Sequence, residues 1–191
     1  MDRTISNAQI NELAIKAGWE YSSLKAIIAV ESGQIGFSSA TDKIIIQFEP
    51  AWFKRLDKDW RSETANTTWQ SNGVGDQKQE WLAFNSAYDC DPDAAMKSTS
   101  IGMMQLMGFH YGECGFKKVG DMWDYAKQSE YNQLDITIRW IKTVPVLDRA
   151  IKVFDPPKIS LYYNGVDFAK FHYPDRLIAA RHLAQPFKIA A

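Results

Sequence analysis

Leu24-Lys25-Ala26-Ile27-Ile28-Ala29-Val30-Glu31-Ser32-Gly33 reads as a helix with a carboxylate on its apolar face. Leu24, Ile27 and Ile28 stand at i, i+3 and i+4, and Glu31 follows at i+7 on the same stripe. Gly33 stands where a helix ends in a left-handed residue. A core-facing carboxyl at the last turn of a helix meets two penalties on its charged form. Partial burial disfavours the anion, and so does the negative end of the helix dipole. Both effects are expected to keep Glu31 protonated at higher pH than a surface glutamate, which suits a general acid. The plainer alternative is a glutamate that reaches the rim or pairs with an arginine.

Working outward, Ser6 with Gln9 three residues on forms a capping-box signature. Ile10, Leu13, Ala14 and Ala17 then make an amphipathic stripe that Gly18 ends. Ser22 or Ser23 is expected to cap the helix carrying Glu31. Beyond Gly33 the period changes. Gly36-Phe37, Ser38 to Asp42 and Lys43 to Phe48 read as a small β-hairpin, with Ile44 to Ile46 the main β-branched run. Glu49-Pro50 closes it and helix resumes to Leu56. Asp57 to Lys78 is polar and glycine-containing and reads as a long surface loop flanking a cleft. Helices follow over Gln79 to Ala87, from Asp91-Pro92 onward, and over Val119 to Gln128. Further helices are expected after Ser129, over Val146 to Val153, over Ile159 to Tyr163 and over Pro174 to Leu183. The expected fold is mainly α, with about eight helices and one small β-hairpin, in a single domain over 1–191.

Composition excludes several classes. Hydrophobic residues make up 46% of the 191, with 7 Trp, 8 Tyr and 10 Phe, too many for a disordered chain. A net charge of −1 gives no overall basic field for nucleic acid or an anionic membrane. No apolar run approaches the roughly 18 residues of a membrane span. Met1-Asp2-Arg3-Thr4 is not followed by the apolar core of a signal peptide, so synthesis in a cytoplasm without a leader is expected. Cys90 and Cys114 give no disulfide framework and, with His110, no convincing zinc spacing. No cofactor and no metal are expected, and a monomer is the simplest state.

Four clusters carry chemistry-bearing residues: Glu31-Ser32-Gly33, Phe48-Glu49-Pro50, Ser98 to Tyr111, and Tyr162-Tyr163-Asn164-Gly165. In the third, Ser100 and Gly102 permit close approach of backbone or ligand, and Gln105 offers an amide donor and acceptor at a helix face. Met103, Met104 and Met107 supply an adaptable apolar wall, which is equally the signature of a packed core helix. In the fourth, Tyr163 can stack on a sugar or donate to a carboxylate, or else be core beside a C-cap Asn164-Gly165.

Taken in order, these clusters resemble the N-acetylmuramidase family of phage endolysins, within the lysozyme-like superfamily of goose-type lysozymes and lytic transglycosylases. The residues concerned are Val30-Glu31-Ser32-Gly33, Gly36-Phe37, Phe48-Glu49, Ser100 to Phe109, Gly115-Phe116, Ser129-Glu130 with Gln133-Leu134, and Tyr163-Asn164-Gly165. The likeness spans roughly Leu13 to Ala180. Pro50-Ala51, Ile101 and His110 depart from the family's usual residues. The resemblance implies a glycosidase acting on peptidoglycan at the β-1,4 bond from N-acetylmuramic acid to N-acetylglucosamine. Glu31 would be the acid and Glu49 the second carboxylate. Ser100, Gln105, Met107, Tyr163 and Asn164 would contact substrate, and Asp42, His110 and Glu130 would be weaker members of the cleft. It also implies release to the periplasm from the host cytoplasm, with no nucleic acid or stable membrane insertion. Three alternatives stay open: a lytic transglycosylase, an interbacterial toxin effector with the same site, and a non-enzymatic glycan-binding phage protein.

Overall fold

The computed structural model describes residues 3–31, 35–59, 75–166 and 172–184. Among these, ten α-helices surround a small three-stranded sheet. The first helix, α1 (Asn7–Ala17), starts with the expected capping box: the Ser6 hydroxyl accepts from the Gln9 N–H, and the Gln9 side chain accepts from the Ser6 N–H. Gly18, at φ 73°, ends it. The second helix, α2 (Tyr21–Glu31), buries Leu24, Ala26, Ile27 and Ile28 as the periodicity requires. It begins before Ser22 and Ser23, so neither is its cap. Its expected terminator, Gly33, lies outside the described residues, as do 60–74 of the polar loop.

The sheet differs from the expected hairpin. Only an isolated bridge, Phe37 to Ile44, joins its two arms. The strand β1 (Ile46–Phe48) instead pairs antiparallel with β2 (Thr99–Ile101), which pairs with β3 (Leu106–Met107). The segment from Ser98 to Met107 is therefore a tight hairpin and not a core helix. Its turn needs left-handed backbone at Gly102 (φ 70°) and Gln105 (φ 50°), and Gln105 sits in that turn, not on a helix face. A short apolar run of Ser, Ile and Met leaves helix and strand undecided by period alone. The β1 partner decides it here.

The remaining helices are α3 (Pro50–Leu56), α4 (Gln77–Cys90), α5 (Pro92–Lys97), α6 (Val119–Ala126), α7 (Glu130–Lys142), α8 (Pro145–Val153), α9 (Pro156–Asn164) and α10 (Tyr173–Leu183). A 3-10 turn, Gly108–Tyr111, continues from β3. Two apolar clusters form. One gathers α1, α2, α8, α9 and the Leu134, Ile138 and Ile141 side of α7. The other gathers β1, β2, α4, α5 and α6, with Phe48, Phe53 and Trp123 at its centre. Trp140 packs against both clusters, so α7 is the element that fixes one lobe against the other.

β1 is an edge strand, and α4 completes its hydrogen bonding with side chains. Gln77 accepts from the Ile46 N–H (3.1 Å) and donates to the Ile46 carbonyl (2.6 Å). Glu80, one turn on, accepts from the Phe48 N–H at 2.7 Å. An unpaired strand edge is thereby closed by an amide and a carboxylate in place of a fourth strand.

Candidate active site

Glu31 is the last residue of α2 and is half-buried. α10 packs on α2, and the Arg176 guanidinium donates to the Val30 carbonyl at 3.1 Å. A cation thus meets the negative end of the helix that presents Glu31. Tyr163, near the end of α9, lies within the electrostatic reach of the Glu31 carboxylate. Burial first, and the Glu31 charge second, push the phenol far above its ordinary value, so it stays a neutral donor. The ring of Tyr163 meets Trp140 edge-on, 5.8 Å between centroids. Asn164 ends α9, and its side chain lies outside the described part of the structure.

The sheet carries the second group of sequence-predicted site residues. Its register aligns Gln47, Ser100 and Met107 in one cross-strand row, while Ile46, Ile101 and Leu106 point into the core. The Ser100 hydroxyl donates to Gln105 Oε1 at 2.8 Å, and the Gln105 amide donates to the Gly102 carbonyl at 2.7 Å. Gln47 Nε2 donates to Glu49 Oε1 at 2.8 Å. One polar row therefore runs from Gln105 through Ser100 and Gln47 to Glu49, with Met107 beside it. Glu49 also caps α3 by position, and its N–H donates to the Ser98 carbonyl at 2.9 Å. Glu80 lies near Glu49. Burial raises its pKa, the Phe48 N–H opposes that rise, and the like charge of Glu49 adds to it.

Sequence reasoning missed Gln47, and it named Gln133 only within the family resemblance, without a role. Gln47 was legible as the one polar residue in Ile-Ile-Ile-Gln-Phe, where strand alternation turns it away from the core. Gln133 is buried on α7, and its amide accepts from the Met103 N–H at 2.8 Å and donates to the Ala126 carbonyl at 3.2 Å. A Cβ built on Gly36 or Gly102 would fall 2.0 or 2.6 Å from that same side chain. Both glycines are required by close approach, and Gln133 is what approaches.

The three weaker candidates are placed by their partners. Glu130 is buried, with Oε1 accepting from the Gly36 N–H at 2.7 Å and Oε2 from the Ile5 N–H at 2.9 Å. Both oxygens serve the scaffold, which removes Glu130 from the candidates for a second catalytic carboxylate. Asp42 is exposed, in a left-handed turn, and paired with Arg3, so it too is a tether. His110 pairs with Glu113 at 2.5 Å and places its ring 5.2 Å from Trp140, next to the Tyr163 side of the site. Cys114 is core: burial pushes its thiol up to about 12.

A cavity of about 890 Å³, lined by residues including Tyr21, Phe154 and Arg181, lies at the other end of α2. At 1.5 Å per residue that is about 15 Å from Glu31, and none of the candidate residues lines it.

A half-buried carboxyl ends an apolar helix with the Tyr163 phenol within reach of its charge, and two likenesses to known proteins make the chain a lysozyme-type glycoside hydrolase. The chain belongs to the N-acetylmuramidase family: the model of that family matches residues 20–185. The structure is similar to the crystal structure of Burkholderia AP3 phage endolysin, with TM-score 0.85 and 25% identity over 95% of this chain and 70% of that one. No curated protein sequence matches.

Proposed function

We propose that the chain is an endolysin-type N-acetylmuramidase that hydrolyses the β-1,4 bond from N-acetylmuramic acid to N-acetylglucosamine, with Glu31 as general acid. The whole chain would be one catalytic domain working as a monomer on glycan strands of the wall, after release from the cell that made it. The observation that carries the reading is the placement of Glu31. It ends an apolar helix, half out of water, with the Tyr163 phenol in its field. A protonated carboxyl there can deliver its proton to the glycosidic oxygen as the bond breaks. Tyr163, held neutral, can donate to the carboxylate that remains.

Glu49 is the second carboxylate in this reading. It ends the polar row of Gln105, Ser100 and Gln47, and Gln47 fixes one of its oxygens. From there it would stabilise the oxocarbenium-like transition state or hold the attacking water. Ser100, Gln105 and Met107 would orient the sugar hydroxyls, N-acetyl groups and apolar faces. Family membership and the endolysin neighbour support the substrate class.

Turbidity loss of permeabilised bacterial cells tests the role of Glu31. Glu31→Gln keeps the shape and removes the transferable proton, so lysis should slow by about 10²–10⁴-fold. Its melting temperature should stay at or slightly above that of the parent. Near-parental lysis by the variant would remove Glu31 from the acid's role.

A further inference from the structure

The helix α4 carries two stripes. Glu80, Ala83, Phe84 and Ala87 are its buried residues. Lys78, Trp81, Asn85 and Tyr88 stand at i, i+3, i+7 and i+10 and form a second face. A surface helix ordinarily turns a polar face outward. Here that face is largely apolar: Tyr88 is 41% exposed, and Leu82, beside the stripe, is 51% exposed. Two hollows of about 190 and 320 Å³ open along it, and Trp81 and Asn85 line both. None of the candidate site residues is among their described lining residues.

The larger hollow is lined by rings in mutual contact. Phe84 stacks on Trp123 at 4.9 Å, and Trp81 and Tyr88 meet Phe84 at 5.5 and 5.6 Å. Each hollow has its own cations. The Lys43 ammonium lies 4.8 Å over the Trp81 ring, with Lys78 on the same hollow, and Lys127 lies 5.7 Å from the Trp123 centroid. The smaller hollow has no carboxylate among its described lining residues. The larger one has Asp124, whose charge Lys127 meets at 3.4 Å. The groove is therefore aromatic along its length and positive at the Lys43 end. Asn85, on the shared wall, adds an amide donor and acceptor. The ligand that complements it is an anion with apolar faces and amide or hydroxyl groups. A bilayer surface calls for an apolar face that projects, and these rings line hollows. An intact peptidoglycan strand presents all three features: the C–H faces of pyranose rings, N-acetyl groups, and the carboxylates of its stem peptides.

We infer that the outer face of α4 is a second, non-catalytic wall-binding site, which holds an intact, peptide-bearing peptidoglycan strand and keeps the protein on the insoluble wall. The identity of the ligand rests on the muramidase reading. The site has a face of its own: Glu80 turns the inner side of α4 to β1, while Asn85 and Tyr88 are exposed on the outer side. Its loss therefore weakens capture of the wall and spares turnover of short soluble strands.

Two readouts on the full chain test it. Cosedimentation with purified peptidoglycan sacculi, in a Glu31→Gln background so that the wall is bound and not consumed, gives an apparent Kd. Digestion of sacculi and of short, soluble, peptide-free strands, with Glu31 intact, gives two rates. Trp81→Ala should raise the apparent Kd by about tenfold, the loss expected of one aromatic anchor. It should slow digestion of sacculi at limiting enzyme and leave turnover of short strands unchanged. Trp81→Phe should recover most of the loss. Lys78→Glu, a change confined to the surface, should weaken wall binding at low salt and less so at high salt. Melting temperatures confirm that the variants are folded. Wall binding that none of these variants changes, or an equal slowing on sacculi and short strands, would overturn the site. So would binding to phosphatidylglycerol vesicles that Trp81→Ala abolishes while sacculus binding stays at the parental level. Because binding is read without cutting, the second site can fail while the acid's role stands. The acid's role can likewise fail in the lysis assay while wall binding still depends on Trp81.

Discussion

Glu31 and Glu130 are both carboxylates withdrawn from water on helices with an apolar face, yet they occupy opposite helix ends. Glu130 opens α7, one residue after the Ser129 cap, where the positive end of the helix favours an anion. Both its oxygens are taken by backbone N–H groups of Gly36 and Ile5. Glu31 closes α2, where the dipole opposes an anion and the Arg176 guanidinium at the Val30 carbonyl offsets part of that, and the Tyr163 phenol lies within reach of its charge. The same residue type, half or fully withdrawn from water, is a clamp at the start of α7 and, on the proposed reading, the proton carrier at the end of α2. On that reading helix polarity, more than burial, separates these two carboxyls.

The sharpest way to break the comparison is to remove the clamp. Glu130→Ala leaves the Gly36 and Ile5 N–H groups without an acceptor, at about 1–3 kcal/mol for each buried group. Stability should fall by about 2–6 kcal/mol, which thermal denaturation reads as roughly 4–24 °C in a chain of this size. Activity per folded molecule should stay within about twofold. A large rate loss with unchanged melting would return Glu130 to the cleft.

On the other side of the comparison, Tyr163→Phe removes only the hydroxyl that lies in the field of Glu31. Losing a contact to a charged or sugar group costs roughly 1.5–3 kcal/mol, so kcat/KM should drop by about tenfold or more with little change in melting. An unchanged rate would assign Tyr163 to packing alone.

Gly102→Ala should cost about 1–3 kcal/mol through the strained φ and the crowding it forces on Gln133. It should also slow catalysis, since Gln105 is held by the Gly102 carbonyl. The variant shows whether the Gln133 contact sets the turn: in a Gln133→Ala background the added cost should shrink.

Much of this was legible in the chain. The helix ending in Glu31, the capping box of α1 and the C-terminal helices follow from local periodicity and caps, which short-range physics dictates. The sheet was not, because β1 finds its partner more than fifty residues away and because Ser98 to Met107 carries no alternation long enough to reveal a strand. The roles of Glu130, Gln77 and Glu80 were hidden for a related reason. Each serves backbone groups far off in sequence, and nothing in its neighbours announces which N–H it will meet. Tyr163 and Gln105 were singled out on the sequence, but the left-handed turn that holds Gln105 and the Trp140 ring that meets Tyr163 exist only in three dimensions.

The smallest effect concerns Glu80, the third inward carboxyl. Its pKa in the folded chain is raised above the ordinary 4.5, chiefly by burial. Between 4.5 and that raised value the folded state holds a proton that the unfolded state has lost, so stability declines as pH rises through this window. Glu80→Gln should flatten that slope in denaturation curves taken from acid to neutral pH. A slope that persists in the variant would place the titrating group elsewhere.

The account stands most directly on the products. Purified peptidoglycan digested by the parent, by Glu130→Gln and by Glu31→Gln can be compared by mass spectrometry of the released fragments. The parent and Glu130→Gln should both release fragments with reducing N-acetylmuramic acid ends, at similar rates per folded molecule, and Glu31→Gln essentially none. Reducing ends appearing at the parental rate with Glu31→Gln, 1,6-anhydro ends in their place, or cuts confined to the stem peptides would contradict it.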